Sequence, residues 1–338
     1  MVARLILELL WGKHRFHHPP TERSRPSAYY RIDVGPSCTL KALSEALPTY
    51  LGEWALLLAA AVGRRTWGGL LIDLHCHMLP GIDDGAADLA VSLEMARIAV
   101  ADGISTVVCT PHILPTVYDN SGPAIRAAVS GLQAALMQAE IPLRVLPGAD
   151  VHIAPDLVEG LRSGRVLCVA DSRYLLLEPL HHVLPPRLQD CVFGLMTAGY
   201  LPILTHPERL TWIDQHYDVI QQLARAGMLM QITGGSLTGR FGKRALHWSQ
   251  RMLDDGLVDL LATDAHDTQA RPPRLSEARE VVVERCGDEE ARKMVLARPQ
   301  AILDNLDPSD LLPRAHRGER PASRQGLWRW TRDLMRNR

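Results

Sequence analysis

The sequence predicts an α/β fold in which parallel strand–helix units close into a distorted (β/α)7, TIM-like barrel over residues 68–305. Short apolar runs alternate with amphipathic segments throughout this range, as in parallel βα units. Histidines and carboxylates recur where the runs end, and barrel enzymes build their active sites at that edge of the strands. An open doubly wound sheet would show the same alternation, but no G-x-G-x-x-G or Walker A motif opens any of the helices.

Seven apolar runs are suited to buried strands, because each is short and is followed by polar or turn-forming residues. The predicted strands cover residues 69–74, 105–109, 143–147, 174–177, 201–205, 228–232 and 258–263. The predicted helices cover residues 88–102, 123–139, 155–162, 186–199, 214–226, 240–255 and 275–286. Asp88 has the residue type of a helix N-cap, and Gly103, Gly227 and Gly256 stand where helix C-caps belong.

The composition excludes several classes of protein. The chain has 37 Lys and Arg against 38 Asp and Glu, so nothing in the overall charge suggests a nucleic-acid partner. The 6 cysteines are scattered without CxxC pairs, which favours reduced thiols. The sequence contains neither a convincing signal peptide nor an apolar stretch of the roughly 20 residues that a transmembrane helix needs. We therefore expect a cytoplasmic protein; its oligomeric state is left open, with a homo-oligomer among the options.

The two ends of the chain lack the regularity of the centre. Residues 1–67 show no periodicity, and we expect an irregular extension, a linker or translated upstream sequence whose removal leaves catalysis intact. Residues 306–338 form a basic tail rich in arginine, with Trp328 and Trp330 interleaved. We interpret the tail as a solvated, partly helical appendage, with a membrane-surface or partner-docking helix as the alternative.

Five histidines and four carboxylates lie at or just after the ends of the predicted strands. They are His75, His77, Asp84, His112, Asp150, Glu178, His206, Asp264 and His266. Nine such residues exceed the needs of one tetrahedral ion, and imidazole with carboxylate suits two or three ions of Mn, Fe or Zn. Clustered ions are suited to hydrolysis at phosphorus. Arg209, three residues after His206, could bind a phosphate through its guanidinium fork.

A family resemblance begins at Ile72, with the segment IDLHCHMLPGIDDGAADLAVSLEMARIAVADGISTVVCTPH. This segment closely resembles the start of the manganese-dependent tyrosine-protein phosphatases of bacterial capsule and exopolysaccharide operons, which belong to the PHP (polymerase and histidinol phosphatase) superfamily. The segments GADVHIAPDL, DSRYLLLE, ILTHPERL, LLATDAHD and ARPPRL match in order and spacing. The resemblance extends over roughly residues 70–305 and implies a PHP barrel that holds three metal ions.

The resemblance also implies how the ions are held. His75, His77, Asp150 and Asp264 would hold one ion, and Asp150 would bridge to a second that Glu178 and His206 complete. Asp84, His112 and His266 would hold the third, and Arg209 would meet the substrate phosphate. Arg209, Asp150 and His206 are the expected catalytic residues, with metal-bound hydroxide as the nucleophile. The implied substrate is the phosphotyrosine tail of a bacterial tyrosine autokinase that regulates capsular or exopolysaccharide synthesis.

One departure and two alternatives accompany this interpretation. Position 150 is Asp where the family pattern leads us to expect Glu, which leaves the spacing of the bridged pair in question. The alternatives are a small-molecule phosphoesterase of the PHP fold, such as a histidinol-phosphate or nucleotide phosphatase, and a non-catalytic kinase-docking barrel. Cys286 and Arg292 have the C-x5-R spacing of cysteine-dependent phosphatases, but the acidic residues between them would repel phosphate and thiolate.

Overall fold

The computed structural model describes residues 70–311, so the expectations for residues 1–67 and for most of the basic tail lie outside the described residues. All seven predicted strands form, displaced by at most 2 residues at either end. They are β1 (Leu71–Cys76), β2 (Ile104–Cys109), β4 (Arg144–Pro147), β6 (Tyr174–Glu178), β7 (Leu201–Thr205), β8 (Leu229–Thr233) and β9 (Leu260–Ala262). Two very short strands that the sequence did not predict, β3 (His112–Ile113) and β5 (Asp150–His152), add to them.

The strands form two parallel sheets. One has three strands in the order β1-β2-β4, and the other has six in the order β3-β5-β6-β7-β8-β9. An isolated parallel bridge between Cys76 and Ala265 links the end of β1 to the segment after β9. The parallel α/β fold predicted from the sequence is confirmed, although within residues 70–311 no continuous ladder of strand pairs closes the barrel.

The short strands β3 and β5 matter because they carry candidate ligands into register. His112 of β3 pairs with Asp150 of β5, and His152 pairs with Glu178 of β6. Paired residues on neighbouring parallel strands project their side chains from the same face of the sheet. The register therefore brings these four side chains to one face.

The seven predicted helices form between the strands as α1 (Leu89–Ala101), α2 (Gly122–Gln138), α3 (Leu157–Arg162), α4 (Leu188–Thr197), α5 (Ile213–Arg225), α7 (Gly242–Asp254) and α8 (Ser276–Cys286). Three short helices complete the described part of the chain: α6 (Gly234–Leu237), α9 (Asp288–Arg292) and α10 (Arg298–Leu303). The Asp88 carboxylate accepts a hydrogen bond from the Val91 amide at 2.9 Å, as expected of an N-cap. Within residues 70–311, each helix is too short or too polar to span a bilayer.

Alternate residues of the strands enter two buried apolar clusters. Tyr174 and Leu176 of β6 pack with Ile203 of β7 in a cluster made mainly of strand residues. Leu175 and Leu177 face the other way, into a larger cluster that includes helix side chains. This division places strands with both faces buried between an inner core and the surrounding helices, which explains their nearly continuous apolar sequence.

Gly148, in the connection from β4 to β5, allows a close approach that positions Asp150. A Cβ atom at this position would lie 2.7 Å from Cγ1 of Val108 and 3.1 Å from Cγ2 of Thr110. The Gly148 amide donates a hydrogen bond to the Cys109 carbonyl at 3.0 Å, which ties the connection to the end of β2. The tight packing fixes where β5, and with it the Asp150 carboxylate, begins.

Candidate metal centre

The structure brings the predicted ligands together at one edge of the strands. Four overlapping groups form, in each of which one candidate ligand atom per residue lies within 4.8 Å of the others. They are His77, Asp84, His112 and His266; His75, His77 and Asp150; His112, His152 and Glu178; and Glu178, His181 and His206. Asp264, the remaining predicted ligand, places Oδ1 3.4 Å from Nε2 of His75.

His75 and His77 form the centre of the first cluster. Their Nε2 atoms lie 3.2 Å apart, and both rings are fully buried. Nε2 of His75 also lies 3.4 Å from Oδ2 of Asp150, while Nε2 of His77 lies 3.5 Å from Oδ1 of Asp264. Two imidazole nitrogens and two carboxylate oxygens thus converge on one small volume, as the ligands of a single cation do.

Three of the histidines are oriented through Nδ1, which leaves Nε2 to face the site. Nδ1 of His75 lies 2.8 Å from the amide oxygen of Gln231, and Nδ1 of His77 lies 2.7 Å from Oδ2 of Asp83. Nδ1 of His266 lies 3.0 Å from the backbone oxygen of Asp264. Each Nδ1–H donates to its oxygen, which fixes the tautomer and directs the Nε2 lone pair inward, as in metal-binding histidines.

Asp84 lies between two histidine rings at the outer side of the cluster. Its Oδ1 atom is 3.5 Å from Nε2 of His112 and 3.5 Å from Nε2 of His266. The Asp84 side chain is 46% exposed, whereas that of Asp83 is 1% exposed. Asp84 and its two histidines therefore form the most open group of candidate ligands among the described residues.

Glu178 is surrounded by histidines on both of its oxygens. Oε1 lies 3.4 Å from Nε2 of His206 and 3.0 Å from Nε2 of His181. Oε2 lies 2.8 Å from Nε2 of His152 and 3.4 Å from Nδ1 of His112. The carboxylate could therefore share its two oxygens between different ions.

Several buried polar atoms of the cluster make no hydrogen bond within the described part of the chain. Among them are both carboxylate oxygens of Asp150, Oε2 of Glu178, and Nδ1 of His112, His152 and His206. Unpartnered buried polar atoms are costly in a folded protein, and a bound cation would satisfy those gathered here. The donor set of imidazole and carboxylate without thiolate fits divalent Mn, Fe or Zn.

Asp264 connects this cluster to two arginines. Its Oδ1 faces the two buried histidines of the cluster, while Oδ2 accepts hydrogen bonds from Arg209 and, at 2.7 Å, from Arg271. The guanidinium carbon of Arg209 lies 4.5 Å from the ring centroid of Phe241, and that of Arg271 lies 5.7 Å from it. One carboxylate thus separates a site for cations from a pair of cationic side chains suited to phosphate oxygens.

The turn that carries Arg209 is held by a buried carboxylate. His206, just before this turn, has a positive φ of 33°, and Asp264 has one of 49°, a conformation that is uncommon for non-glycine residues. Glu208 is buried and accepts hydrogen bonds from the Ser236 hydroxyl at 2.7 Å and from the Thr233 amide at 3.0 Å. These contacts fix the short 3-10 turn Pro207–Arg209 against β8 and α6.

Residues 71–304 match the protein family described as "Capsular polysaccharide synthesis, CpsB/CapC". The chain belongs to this family. The match spans the nine strands and all of the candidate ligands, so the family assignment rests on the same residues that build the site. The resemblance stated from the sequence is confirmed.

Named relatives of this CpsB/CapC chain include a tyrosine-protein phosphatase. YwqE of Bacillus subtilis, named as such, is 39% identical over 220 residues, which cover 65% of this chain and 86% of YwqE. CapC of Staphylococcus aureus is 31% identical over 202 residues, which cover 60% of this chain and 79% of CapC. This chain also superposes on a crystal structure from a study of YwqE from Bacillus subtilis and CpsB from Streptococcus pneumoniae, which describes them as unique metal-dependent tyrosine phosphatases. The TM-score is 0.67 and the sequence identity is 35%. That match covers 73% of this chain and 100% of the solved chain.

Electrostatics in the CpsB/CapC centre favour a positive charge between its carboxylates. Burial disfavours a charged His75 ring, yet Asp150 and Asp264 together raise the pKa of His75 to about 10. Burial and the neighbouring His266 lower the pKa of His77 to about 3. Burial and Arg209 hold the pKa of His206 well below its ordinary range. The lowered pKa values leave His77 and His206 neutral and able to bind a metal ion, and a bound cation would offset the charges of Asp150 and Asp264 in place of the His75 proton.

The structure adds residues to the site that sequence reasoning did not assign. Asp83 and Gln231 orient histidines that are candidate ligands. Arg271 joins Arg209 on Asp264, and His152 and His181 contact Glu178. Nε2 of His181 lies 3.0 Å from Oε1 of Glu178. The spacing of His152, two residues after Asp150 on an extended segment, is a signal that could have identified it.

The C-x5-R segment has no part in this centre. Cys286 ends α8, and Asp288–Arg292 forms α9, so four of the five residues between cysteine and arginine are helical and do not form a phosphate-binding loop. The rejection of a cysteine-based site is therefore supported by the fold of this segment.

Proposed function

We propose that this chain is a metal-dependent protein-tyrosine phosphatase that hydrolyses phosphotyrosine at the cluster of histidines and carboxylates. The observation that carries the proposal is that the two carboxylate oxygens of Asp264 face different groups. Oδ1 lies toward His75 and His77, and Oδ2 is bound by Arg209 and Arg271. A phosphoryl group at this boundary would meet metal ligands on one side and guanidinium groups on the other. The metal-dependent tyrosine phosphatases among its structural relatives support the same assignment.

The proposed ligand sets are those that the family resemblance implies. His75, His77, Asp150 and Asp264 would hold one ion; Asp150, Glu178 and His206 a second; and Asp84, His112 and His266 a third. Manganese is the proposed metal, with iron and zinc as the alternatives that the same donors suit. When bound, such ions supply a water nucleophile at neutral pH and offset the charge that develops on the phosphoryl oxygens.

The arginines of the chain would orient the substrate. Arg209 and Arg271 can each donate two hydrogen bonds to phosphate oxygens, and Asp264 keeps both guanidinium groups in place before the substrate arrives. The Phe241 ring beneath them restricts their motion. Donors fixed in this way stabilise charge that develops in the transition state with little reorganisation.

The surroundings of the cluster support a peptide substrate. Leu180 and Val183, which follow Glu178, are 58% and 59% exposed, and Val117 is 62% exposed next to Tyr118, which stacks on His112. Exposed apolar side chains beside a polar centre suit an aromatic ring presented by a protein segment. We propose the phosphotyrosine tail of an autophosphorylating tyrosine kinase of capsule or exopolysaccharide synthesis as that segment. The cytoplasmic location stays a prediction.

The decisive experiment is turnover of a phosphotyrosine peptide by the full chain, with and without added manganese. We expect hydrolysis that requires the metal and exceeds hydrolysis of histidinol phosphate and of a nucleotide monophosphate under the same conditions. Preference for either small molecule would support the phosphoesterase alternative. Absence of turnover with every substrate, together with binding of a kinase-tail peptide, would support the docking alternative.

A further inference from the structure

Glu178 contacts four histidines, of which the sequence-predicted ligand set includes His112 and His206 but not His152 and His181. The other two differ in their hydrogen bonding. Nε2 of His181 makes a hydrogen bond to Oε1 of Glu178 at 3.0 Å, and the His181 side chain is 29% exposed. His152 is 14% exposed, and its Nε2 atom lies 2.8 Å from Oε2 of Glu178.

The contact between His152 and Glu178 has the character of two ligands facing one ion. His112, His152 and Glu178 form one of the groups whose candidate ligand atoms lie within 4.8 Å of one another. Oε2 of Glu178 is buried and makes no hydrogen bond within the described residues, and Nε2 of His152 lies 2.8 Å from it. Nδ1 of His112 lies 3.4 Å from the same Oε2 atom. Nitrogen and oxygen atoms at these separations could contact a single cation.

Position 150 supplies an independent reason for a further ligand. Asp150 belongs to the group with His75 and His77, and among the described residues no group of candidate ligands joins it to Glu178. An aspartate reaches one methylene less far than the glutamate expected at this position. His152, two residues along β5, projects from the same face as Asp150 and pairs in register with Glu178.

We propose that His152 is a metal ligand in this chain, and that with Glu178 it holds the ion that the short Asp150 carboxylate reaches poorly. The inference rests on the proposed metal-dependent function, whose expected ligand set it changes. It also adds a nitrogen donor where the expected set would supply a carboxylate oxygen. Nitrogen donors favour Fe and Zn over Mn, so this site should prefer manganese less strongly than an oxygen-rich site would.

The test is a manganese titration of the chelator-treated full chain, followed by calorimetry and by the EPR signal of free Mn²⁺. Replacing an orienting partner of a metal site costs about 10–100-fold in affinity, and removing a ligand should cost at least as much. We therefore expect His152→Ala to weaken the binding of one ion at least about tenfold. If Ala disturbs folding, His152→Gln should weaken the binding of that ion in the same way. His247→Ala, an exposed histidine on α7, is the matched control and should leave every affinity unchanged.

A double-mutant cycle connects the proposal to Asp150. If His152 compensates for the short carboxylate, the loss caused by His152→Ala should be smaller in an Asp150→Glu background. Pulsed EPR of the Mn²⁺-loaded protein should also lose a nitrogen coupling in His152→Ala. Unchanged affinities and couplings in folded His152→Ala and His152→Gln proteins would overturn the proposal.

Metal binding and phosphatase activity are read separately in these experiments. If metal affinity depends on His152 but no phosphotyrosine is hydrolysed, the proposed function fails and the ligand assignment stands. If phosphotyrosine is hydrolysed but metal affinity ignores His152, the ligand assignment fails and the proposed function stands.

Discussion

Asp83 orients His77, while its neighbour Asp84 faces the metal-ligand cluster. Oδ2 of Asp83 lies 2.7 Å from Nδ1 of His77 and also accepts a hydrogen bond from the His112 amide at 3.1 Å. Oδ1 accepts a further hydrogen bond from the Gly85 amide at 3.0 Å. Asp83 therefore fixes one ligand ring and the loop that carries a second, without itself joining a group of candidate ligands.

Asp83→Ala should weaken metal binding and destabilise the protein at the same time. Loss of a partner that orients a ligand histidine typically reduces metal affinity about 10–100-fold. The His77, Gly85 and His112 donors would lose their acceptor, and each buried unsatisfied donor costs about 1–3 kcal/mol. Manganese titration and chemical unfolding of the metal-free protein measure the two effects.

Asp88→Ala is the control for that substitution. Asp88 caps α1 through the Val91 amide and is exposed, so its loss should cost about 0.5–2 kcal/mol of stability. Metal affinity should not change. A metal affinity in Asp83→Ala equal to that of Asp88→Ala would mean that the contact between Asp83 and His77 does not support the centre.

Removal of metal should abolish activity, and replacement of Cys286 should not. The cluster contains imidazole and carboxylate donors only, so a chelator should eliminate phosphotyrosine hydrolysis and manganese should restore it. Cys286→Ser should retain the activity of the parent, because Cys286 ends a helix and has no place in the cluster. Inactivation by alkylation of Cys286, with activity that survives chelation, would contradict the metal mechanism. The assay needs only the full chain, a phosphotyrosine peptide and a metal-free buffer.

The two arginines on Asp264 should contribute to turnover more than to metal binding. Arg209→Gln and Arg271→Gln each remove a donor fixed near the cluster, and loss of such a donor typically lowers kcat about 10²–10³-fold. Metal content should remain that of the parent protein. Arg251→Gln, which removes an exposed ion pair with Asp255 on α7, is the matched control and should leave kcat unchanged. Parallel loss of metal and activity would instead assign the arginines a structural role.

The sequence predicted the long elements of the fold and failed at the shortest. β3 and β5 contain 2 and 3 residues, too few for an apolar period to be recognised. β1 continues to Cys76 beyond the predicted end, because Cys76 still pairs with Cys109 after a shift in register that follows Asp73. Gly103, Gly227 and Gly256 have positive φ at the helix ends where they were predicted, since that conformation is a local property of the sequence.

The residues of the candidate site that lie at or just after the ends of strands could be predicted from the sequence. His75, His112 and Glu178 meet because parallel strands end at one edge, which is a general rule of the fold. The sequence predicted Asp84 as a candidate ligand, but it could not predict that Asp83 orients His77, because that role depends on a tertiary contact. Arg271 was not predicted either, because its place beside Arg209 depends on a tertiary contact that both make with Asp264.

Asp150→Glu should tighten metal binding without loss of rate. Bridged ions in clusters of this kind lie about 3.5–4 Å apart, so one additional methylene is a large gain in reach for a carboxylate between them. Both Asp150 oxygens are buried without a hydrogen bond, and the pKa of this carboxyl is raised by burial and by the charge of Glu178. A longer carboxylate that binds one cation through each oxygen would give both oxygens a partner and would offset the charge of Glu178.

The measurement is activity and metal occupancy against free manganese for the parent and Asp150→Glu proteins. We expect the midpoint of the Asp150→Glu titration to move to lower manganese, with kcat at saturation equal to that of the parent. Because the Gly148 backbone already packs closely against Val108, we expect the added methylene to extend the carboxylate rather than to move this connection further toward β2. An Asp150→Glu protein with equal or weaker manganese affinity would show that the length of the Asp150 side chain does not limit metal binding.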